Sequence, residues 1–288
     1  MVTKARIAFL GAGNMASSLI AGLIKDNYPP SQLWIADLDN EKCDHLAQLY
    51  DVHIADSVEQ AVEHADIVVL AVKPQHIKTL GASVGKLITQ KKPLLISIAA
   101  GVPLAYLEHL FGQHTAIVRA MPNTPALIQC GASGLFANAN VSSEQRNLAE
   151  AILRATGVIV WAKKESLIDA ITALSGSGPA YVFLMMEIME NIGVELGISD
   201  KQAHLLTLQT FYGAAKLALE SPDELKTLRE RVTSKGGTTE AALKVFTQSN
   251  LRKIFAEAMT AAHDRSITLS ESFTDIKRLH DKREDHND

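Results

Sequence analysis

The sequence predicts an α/β chain: a parallel, doubly wound sheet in the first half, followed by a second half built of helices alone. Three observations carry that expectation. Short apolar runs recur as far as Val118, and each stops at a glycine, a proline or a charged residue. Stretches with helical spacing and capping residues lie between them. After Trp161 the strand pattern ceases and the apolar residues keep helical spacing.

The first run, Arg6 to Leu10, ends at Gly11. Leu33 to Ala36 ends at Asp37. Ile67 to Val72, largely β-branched, ends at Lys73-Pro74. Leu94 to Ala99 ends at Ala100-Gly101, and Ala116 to Val118 is expected to end before Arg119. Runs without polar alternation suit strands buried on both faces, as in a parallel sheet. Between them, helices are expected at Ser17–Lys25, at Asn40–Tyr50 with Asp39 or Asn40 as N-cap, and at Ser57–His64 capped by Ser57.

In the second half, Asp169–Leu174, Tyr181–Leu196, Lys201–Glu220 and Leu251–Ile267 read as helices. The Tyr181 helix is apolar around most of its circumference, which suits a domain core or a subunit interface equally. The pattern changes at Ala162-Lys163-Lys164. This divides the chain into 1–163, a helical 164–275 and a charged tail, 276–288, expected to be disordered.

Composition bounds the function. Of 288 residues, 47% are hydrophobic and 21% charged, the balance of a globular protein. A net charge of -4 gives a nucleic-acid partner no electrostatic support. The longest apolar runs fall far short of the ~20 residues of a membrane span. The first residues lead straight into a strand, with no signal-peptide pattern. The two cysteines, Cys43 and Cys130, make neither a disulfide framework nor a zinc site. A cytoplasmic location is expected. The ten histidines are scattered, so no metal site and no histidine base is assigned.

The first chemical signal is Gly11-Ala12-Gly13-Asn14-Met15-Ala16, a G-x-G-x-x-A pattern between a strand and a helix. Gly11 allows the tight turn. Gly13 lets a pyrophosphate approach the backbone, and Ala16 permits close helix–strand packing. The helix N-terminus faces the phosphates. Asp37 closes the second strand, where a carboxylate would bond a ribose 2′-OH and repel a 2′-phosphate, which leans toward NAD. Alternatively Asp37 or Asp39 only caps the next helix.

Four further stretches carry a resemblance: Ala71-Val-Lys-Pro74, Arg119-Ala-Met-Pro-Asn-Thr-Pro125, Ser175-Gly-Ser-Gly-Pro-Ala-Tyr181 and Val232-Thr-Ser-Lys-Gly-Gly-Thr-Thr-Glu-Ala-Ala-Leu243. In this order they resemble pyrroline-5-carboxylate reductase, over nearly the whole chain from Gly11 to about Phe246. The resemblance implies a Rossmann-type domain followed by an all-α dimerisation domain. It implies hydride reduction of the cyclic imine 1-pyrroline-5-carboxylate to L-proline, the last step of proline biosynthesis. NADPH is the cofactor it favours, with NAD possible from Asp37. The partners it implies are this small substrate and a second copy, as homodimer or higher homo-oligomer.

Residue roles follow from the matching positions. Gly236 and Gly237 free the backbone to form an anion-binding nest, and Ser234, Thr238 and Thr239 add hydroxyls. The resemblance implies that this segment holds the substrate carboxylate, with Thr239 near the ring nitrogen as proton or hydrogen-bond donor. Without the resemblance, Gly236-Gly237 reads as a flexible turn. Where the family usually has proline, this chain has Lys235, which loosens the loop. Ser177 and Glu165 are expected near the substrate, with helix packing and a surface salt bridge as their bland alternatives. Ala12, Asn14 and Met15 join the glycines at the cofactor, as do Ala71, Lys73 and Pro74 after one strand and Met121, Pro122 and Asn123 after another. A β-hydroxyacid dehydrogenase would need a lysine soon after Gly178, and none is there. A non-catalytic nucleotide sensor would have no use for Ser234 and Thr239.

Overall fold

The computed structural model describes residues 5–284. In its first half, strands and helices alternate. β1 (Ile7–Leu10) leads into α1 (Asn14–Lys25), β2 (Leu33–Ala36) into α2 (Asn40–Tyr50), β3 (His53–Ile54) into α3 (Val58–His64) and β4 (Ile67–Leu70) into α4 (Ile77–Lys91). β5 (Leu94–Ser97), α5 (Leu104–Phe111), β6 (Ile117–Met121), β7 (Gly131–Ala137), α6 (Ser143–Arg154) and β8 (Gly157–Trp161) follow. The strands form one sheet in the order β3-β2-β1-β4-β5-β6-β7-β8, parallel except for the antiparallel β6–β7 pair. The doubly wound fold is as expected, and β1 lies where the strand order reverses.

Period-two alternation explains the two cores. Ile7 and Phe9 of β1 pack on one face of the sheet with Leu19, Ile20 and Leu23 of α1. Ala8 and Leu10 pack on the other face with Ile77, Val84 and Ile88 of α4. All of β1, β4 and β5 is buried. Each fully buried large side chain contributes about 1.5–3 kcal/mol. The expected caps are present: Asp39 accepts from Lys42 N and Ser57 from Gln60 N.

One strand end differs from expectation. β6 does not stop before Arg119 but runs through it to Met121. The guanidinium is 3% exposed and paired with Glu165 at 2.7 Å, which is what lets a charge sit inside a sheet.

The second half holds α7 (Leu167–Ile171), α8 (Gly178–Glu195), α9 (Asp200–Glu220), α10 (Leu225–Arg231), α11 (Thr238–Gln248) and α12 (Leu251–Glu284). Between α7 and α8, Thr172–Gly176 forms a π-helical turn. The chain divides into two compact units. One comprises the residues up to Ser177 and those from Ala262 onward, and the other is Gly178–Ala261. The division thus falls later than the change of pattern at residue 163: Asp169 of α7 pairs with Arg119 of β6 at 3.9 Å and accepts from Ser266 Oγ of α12 at 2.7 Å, which ties both helices to the sheet. The tail expected to be disordered from 276 continues α12 through Glu284, its lysines, arginines and carboxylates being good helix formers. Residues 285–288 lie outside the described part.

No residue of α8 is buried within the chain, so the core alternative for this helix is set aside. Phe183 is 63% and Leu184 56% exposed. By length and composition alone, the helical stretch Leu167–Glu195 is long and apolar enough to cross a membrane, a test that the core or interface helix of a soluble protein also passes.

Candidate active site

In-register pairing places Leu10, Ala36, Leu70, Ser97 and Arg119 in one row across β1, β2, β4, β5 and β6. Gly11, Asp37 and Ala71 come next in the chain and form the C-terminal edge of the sheet, where open α/β sheets bind ligands. At this edge the Gly11 N–H donates to Ala36 O at 2.7 Å, and Ala71 N to Leu10 O at 2.8 Å. Gly11 has φ +109°, and a Cβ there would stand 2.6 Å from Ala71 O. Only glycine fits.

Gly13 differs. Its φ is -75° and a Cβ would meet nothing within 4 Å. It is the N-cap of α1 without a side-chain cap, so the first N–H groups of α1, starting at Asn14 and Met15, have no partner within the helix. Open space over uncapped N–H groups is the arrangement a pyrophosphate needs, and Ala16, 1% exposed, closes the packing beneath.

Asp37 is not the cap of α2. Its carboxylate accepts from Ala12 N at 2.6 Å and from Asp39 N at 3.0 Å, which fastens the second strand end to the glycine loop. Asp39 does the capping. Its hydrogen bond and ion pair with Lys42 hold its carboxyl below the usual range, and the Lys42 ammonium offsets its charge, which leaves Asp37, among the described residues, as the carboxylate without an ion pair at the loop. After β4, Lys73 is exposed and Pro74 begins a short 3₁₀ turn.

Met121, Pro122 and Asn123 follow β6 and meet the Ser175–Ser177 motif. Asn123 Nδ2 donates to Ser175 O at 3.0 Å, while its Oδ1 accepts from Ala132 N at 2.8 Å. Met121 Cε lies 2.6 Å from where a Cβ on Gly176 would sit. The Ser177 N–H reaches back to Thr172 O at 2.8 Å, closing the wide turn. Such π-bulges often mark functional sites. Glu165 is no surface salt bridge: Oε1 accepts from Arg119 Nη1 at 2.7 Å and from Leu104 N, at the start of α5, at 2.8 Å.

In the helical unit, Gly236 takes φ +74° and Gly237 is the N-cap of α11, again without a side-chain cap. The loop is braced from within: Gly237 N donates to Ser234 O at 3.0 Å and Gly236 N to Glu240 Oε2 at 2.7 Å. Thr238 and Thr239 open α11, so their N–H groups and that of Glu240 lack intrahelical partners. A hollow of about 630 Å³ lies here, lined by Thr233, Gly236, Gly237, Glu240 and Lys244 among others.

The structure thus gathers the expected cofactor residues at one sheet edge, joins Met121–Asn123 to Ser175–Ser177, and sets Ser234–Thr239 around a helix start. Sequence reasoning passed over Arg119, Asp169 and Glu240. A lone arginine inside an apolar strand was the available signal for the first. The other two are ordinary acidic residues on helices and gave none.

The similarities to known proteins agree with this geometry. A family model of coenzyme F420-dependent NADP oxidoreductases matches residues 6–101, and the pyrroline-5-carboxylate reductase dimerisation model matches 165–269. The exposed apolar surface of α8 lies within the residues of that second match. The pyrroline-5-carboxylate reductase of Pseudomonas aeruginosa is 47% identical over 266 residues, covering 92% of this chain and 97% of its own. The solved reductase of Coxiella burnetii is 44% identical with a TM-score of 0.90, over 93% of this chain and 99% of its own. That of Plasmodium falciparum, solved with NADP bound, is 29% identical with a TM-score of 0.81, over 92% and 98%. The chain belongs to the pyrroline-5-carboxylate reductase family.

Proposed function

We propose that this protein reduces 1-pyrroline-5-carboxylate to L-proline with NAD(P)H, the last step of proline biosynthesis. We assign its substrate and dimerisation region to 164–275 and its cofactor domain to 1–163. It works in the cytoplasm as a homodimer or higher homo-oligomer. The observation that carries the reading is the row of strand ends that brings Gly11–Met15, Asp37, Ala71–Pro74 and Met121–Asn123 to one edge in a member of this family.

Gly11, Ala12, Gly13, Asn14 and Met15 form the pyrophosphate site: Gly11 and Ala12 fix the loop through their bonds to Ala36 and Asp37, Gly13 leaves the space, and the uncapped N–H groups of Asn14 and Met15 face the phosphates. Ala71, Lys73, Pro74, Met121, Pro122 and Asn123 border the nicotinamide end. Bound NAD(P)H supplies the hydride. Ser234, Gly236, Gly237 and Thr238 form the substrate-carboxylate site at the start of α11: the N–H groups of both glycines are spent on the loop's own bonds, so the glycines shape the turn and the uncapped helix start with its hydroxyls meets the carboxylate. Thr239 offers its hydroxyl to the ring nitrogen, which gains a proton as the C=N bond is reduced. Ser177 borders the substrate, and Glu165 serves it through the Arg119 ion pair. Turnover of pyrroline-5-carboxylate by purified protein tests the reading, and absence of turnover with both cofactors refutes it.

The geometry also supports a cofactor preference. Asp37 sits on the glycine loop, and a carboxylate at the end of the second strand disfavours a 2′-phosphate. This favours NADH over the NADPH that the family resemblance suggests. The ratio of kcat/KM for the two cofactors decides it.

A further inference from the structure

A buried ionic cluster lies just below the sheet edge and touches none of the residues assigned to the cofactor phosphates. Arg119, on the inner strand β6, is 3% exposed. Its Nη1 is 2.7 Å from Glu165 Oε1, and its Nη2 is 3.9 Å from Asp169 Oδ1. Asp169, 8% exposed, also accepts from Ser266 Oγ of α12 at 2.7 Å. Glu165 accepts from Leu104 N at the start of α5. One guanidinium and two carboxylates therefore tie β6 to α5, α7 and α12.

Such a cluster is a poor source of net stability, because Arg119 and Asp169 lose their hydration while Glu165 keeps part of its own. What it fixes is direction. Along the chain from Arg119 come Met121–Asn123. Along the chain from Asp169 comes the π-helical turn Thr172–Gly176. The two segments then meet, through the Asn123–Ser175 hydrogen bond and the contact of Met121 with Gly176. α7 is set down tightly: Ile171 Cγ2 lies 2.6 Å from where a Cβ on Gly134 would be. A π-turn carries one residue more per hydrogen-bonded ring than an α-helix and is uncommon, so its shape depends on what holds its ends.

We infer that Arg119, with Glu165 and Asp169, is a positioning residue for the reduction: it holds the π-helical turn so that Ser175–Ser177 stands against Met121–Asn123. The inference rests on the reading that these two motifs border the nicotinamide and the imine. A small displacement of that wall changes the approach of the reacting atoms more than it changes ground-state binding.

Asp169→Ala removes both the carboxylate and the acceptor for Ser266, while Asp169→Asn keeps an acceptor oxygen. We expect Asp169→Ala to lower kcat by about 10- to 100-fold, with KM and the cofactor Kd within about 3-fold of wild type. Amide hydrogen exchange should lose protection at residues 172–177. Asp169→Asn should recover most of both. Arg119→Lys should fall between the two. Two results would overturn the proposal: a lowered thermal midpoint with wild-type kcat per folded enzyme, or a loss confined to KM or Kd. A wild-type enzyme that fails to reduce pyrroline-5-carboxylate overturns the underlying reading as well. An active wild type with an undiminished Asp169→Ala variant overturns the positioning role alone.

Discussion

The loop at Gly11–Gly13 and the loop at Gly236–Gly237 both bring two glycines to an uncapped helix start, yet they are held in different ways. The first is fixed by the sheet. Gly11 is bonded to Ala36, a Cβ on it would strike Ala71, and Ala12 is bonded to Asp37. The second is exposed and, among the described residues, its glycines are bonded to residues of their own segment, Ser234 and Glu240. A Cβ on Gly236 would meet nothing within 4 Å. The cofactor loop is therefore preorganised by long-range strand pairing. The substrate loop takes its shape from local chemistry, at the point where Lys235 stands in place of a stiffening proline. Gly236 is required by its backbone dihedral and Gly237 by the closeness of Ser234 in the same loop, whereas Gly11 is required by the neighbouring strand end.

The largest effects should come from the two glycines of the first loop, by opposite routes. Gly11→Ala forces an L-residue into φ +109° and into the Ala71 carbonyl. Strain of about 1–3 kcal/mol and overpacking of about 1–3 kcal/mol should appear as a large loss in denaturant midpoint. Gly13→Val should fold normally, since the side chain enters open space, but weaken cofactor binding by about 100-fold or more, near 2.7 kcal/mol. A Gly13→Val protein that titrates normally with NAD(P)H would show that the phosphates lie elsewhere. In the second loop, Thr239→Ala should lower kcat by about 10- to 100-fold and leave cofactor affinity intact. An unchanged kcat removes Thr239 from the proton-transfer step.

The same contrast explains what the sequence made legible. The glycine loop could be read because strand, turn and helix signals coincide within a few residues, and the apolar runs of β1, β4 and β5 reported burial on both faces directly. The caps Asp39 and Ser57 were visible for the same local reason. Arg119 was misread as a strand end because its neutralising partners are far away in the chain, and no local pattern announces them. The π-turn was read as plain helix, since spacing alone does not distinguish the two. The role of Asp37 was left open between capping and ribose binding. Its bond to Ala12, a tertiary fact that no local pattern announces, removes the capping alternative and ties the residue to the glycine loop. In the helical unit the motif could be read only through its resemblance. Its brace, Glu240, carries no signal beyond being an acidic residue near a helix start.

A smaller effect should follow from Asp37→Ser, which removes the charge at the ribose position while keeping a short acceptor. The ratio of kcat/KM for NADPH over NADH should rise by about 10-fold, close to 1.4 kcal/mol. Some loss of loop rigidity is expected too, because Ala12 N then has a weaker partner. If the ratio does not move, the carboxylate faces away from the bound ribose.

The smallest effect, and the one that most sharpens the comparison, is expected at Gly236. Its φ of +74° costs an alanine about 1 kcal/mol in strain, with no clash to add to it. Gly236→Ala should therefore leave the protein folded, raise the KM for pyrroline-5-carboxylate by several-fold, and leave the cofactor Kd unchanged. Asparagine tolerates the left-handed region better than alanine, so Gly236→Asn should lie between wild type and Gly236→Ala. That ordering is specific to a backbone-conformation requirement. If alanine and asparagine behave alike, the loop is already flexible and its shape is set when substrate binds. A rise in cofactor Kd in either variant would mean that the two loops are coupled and not built independently.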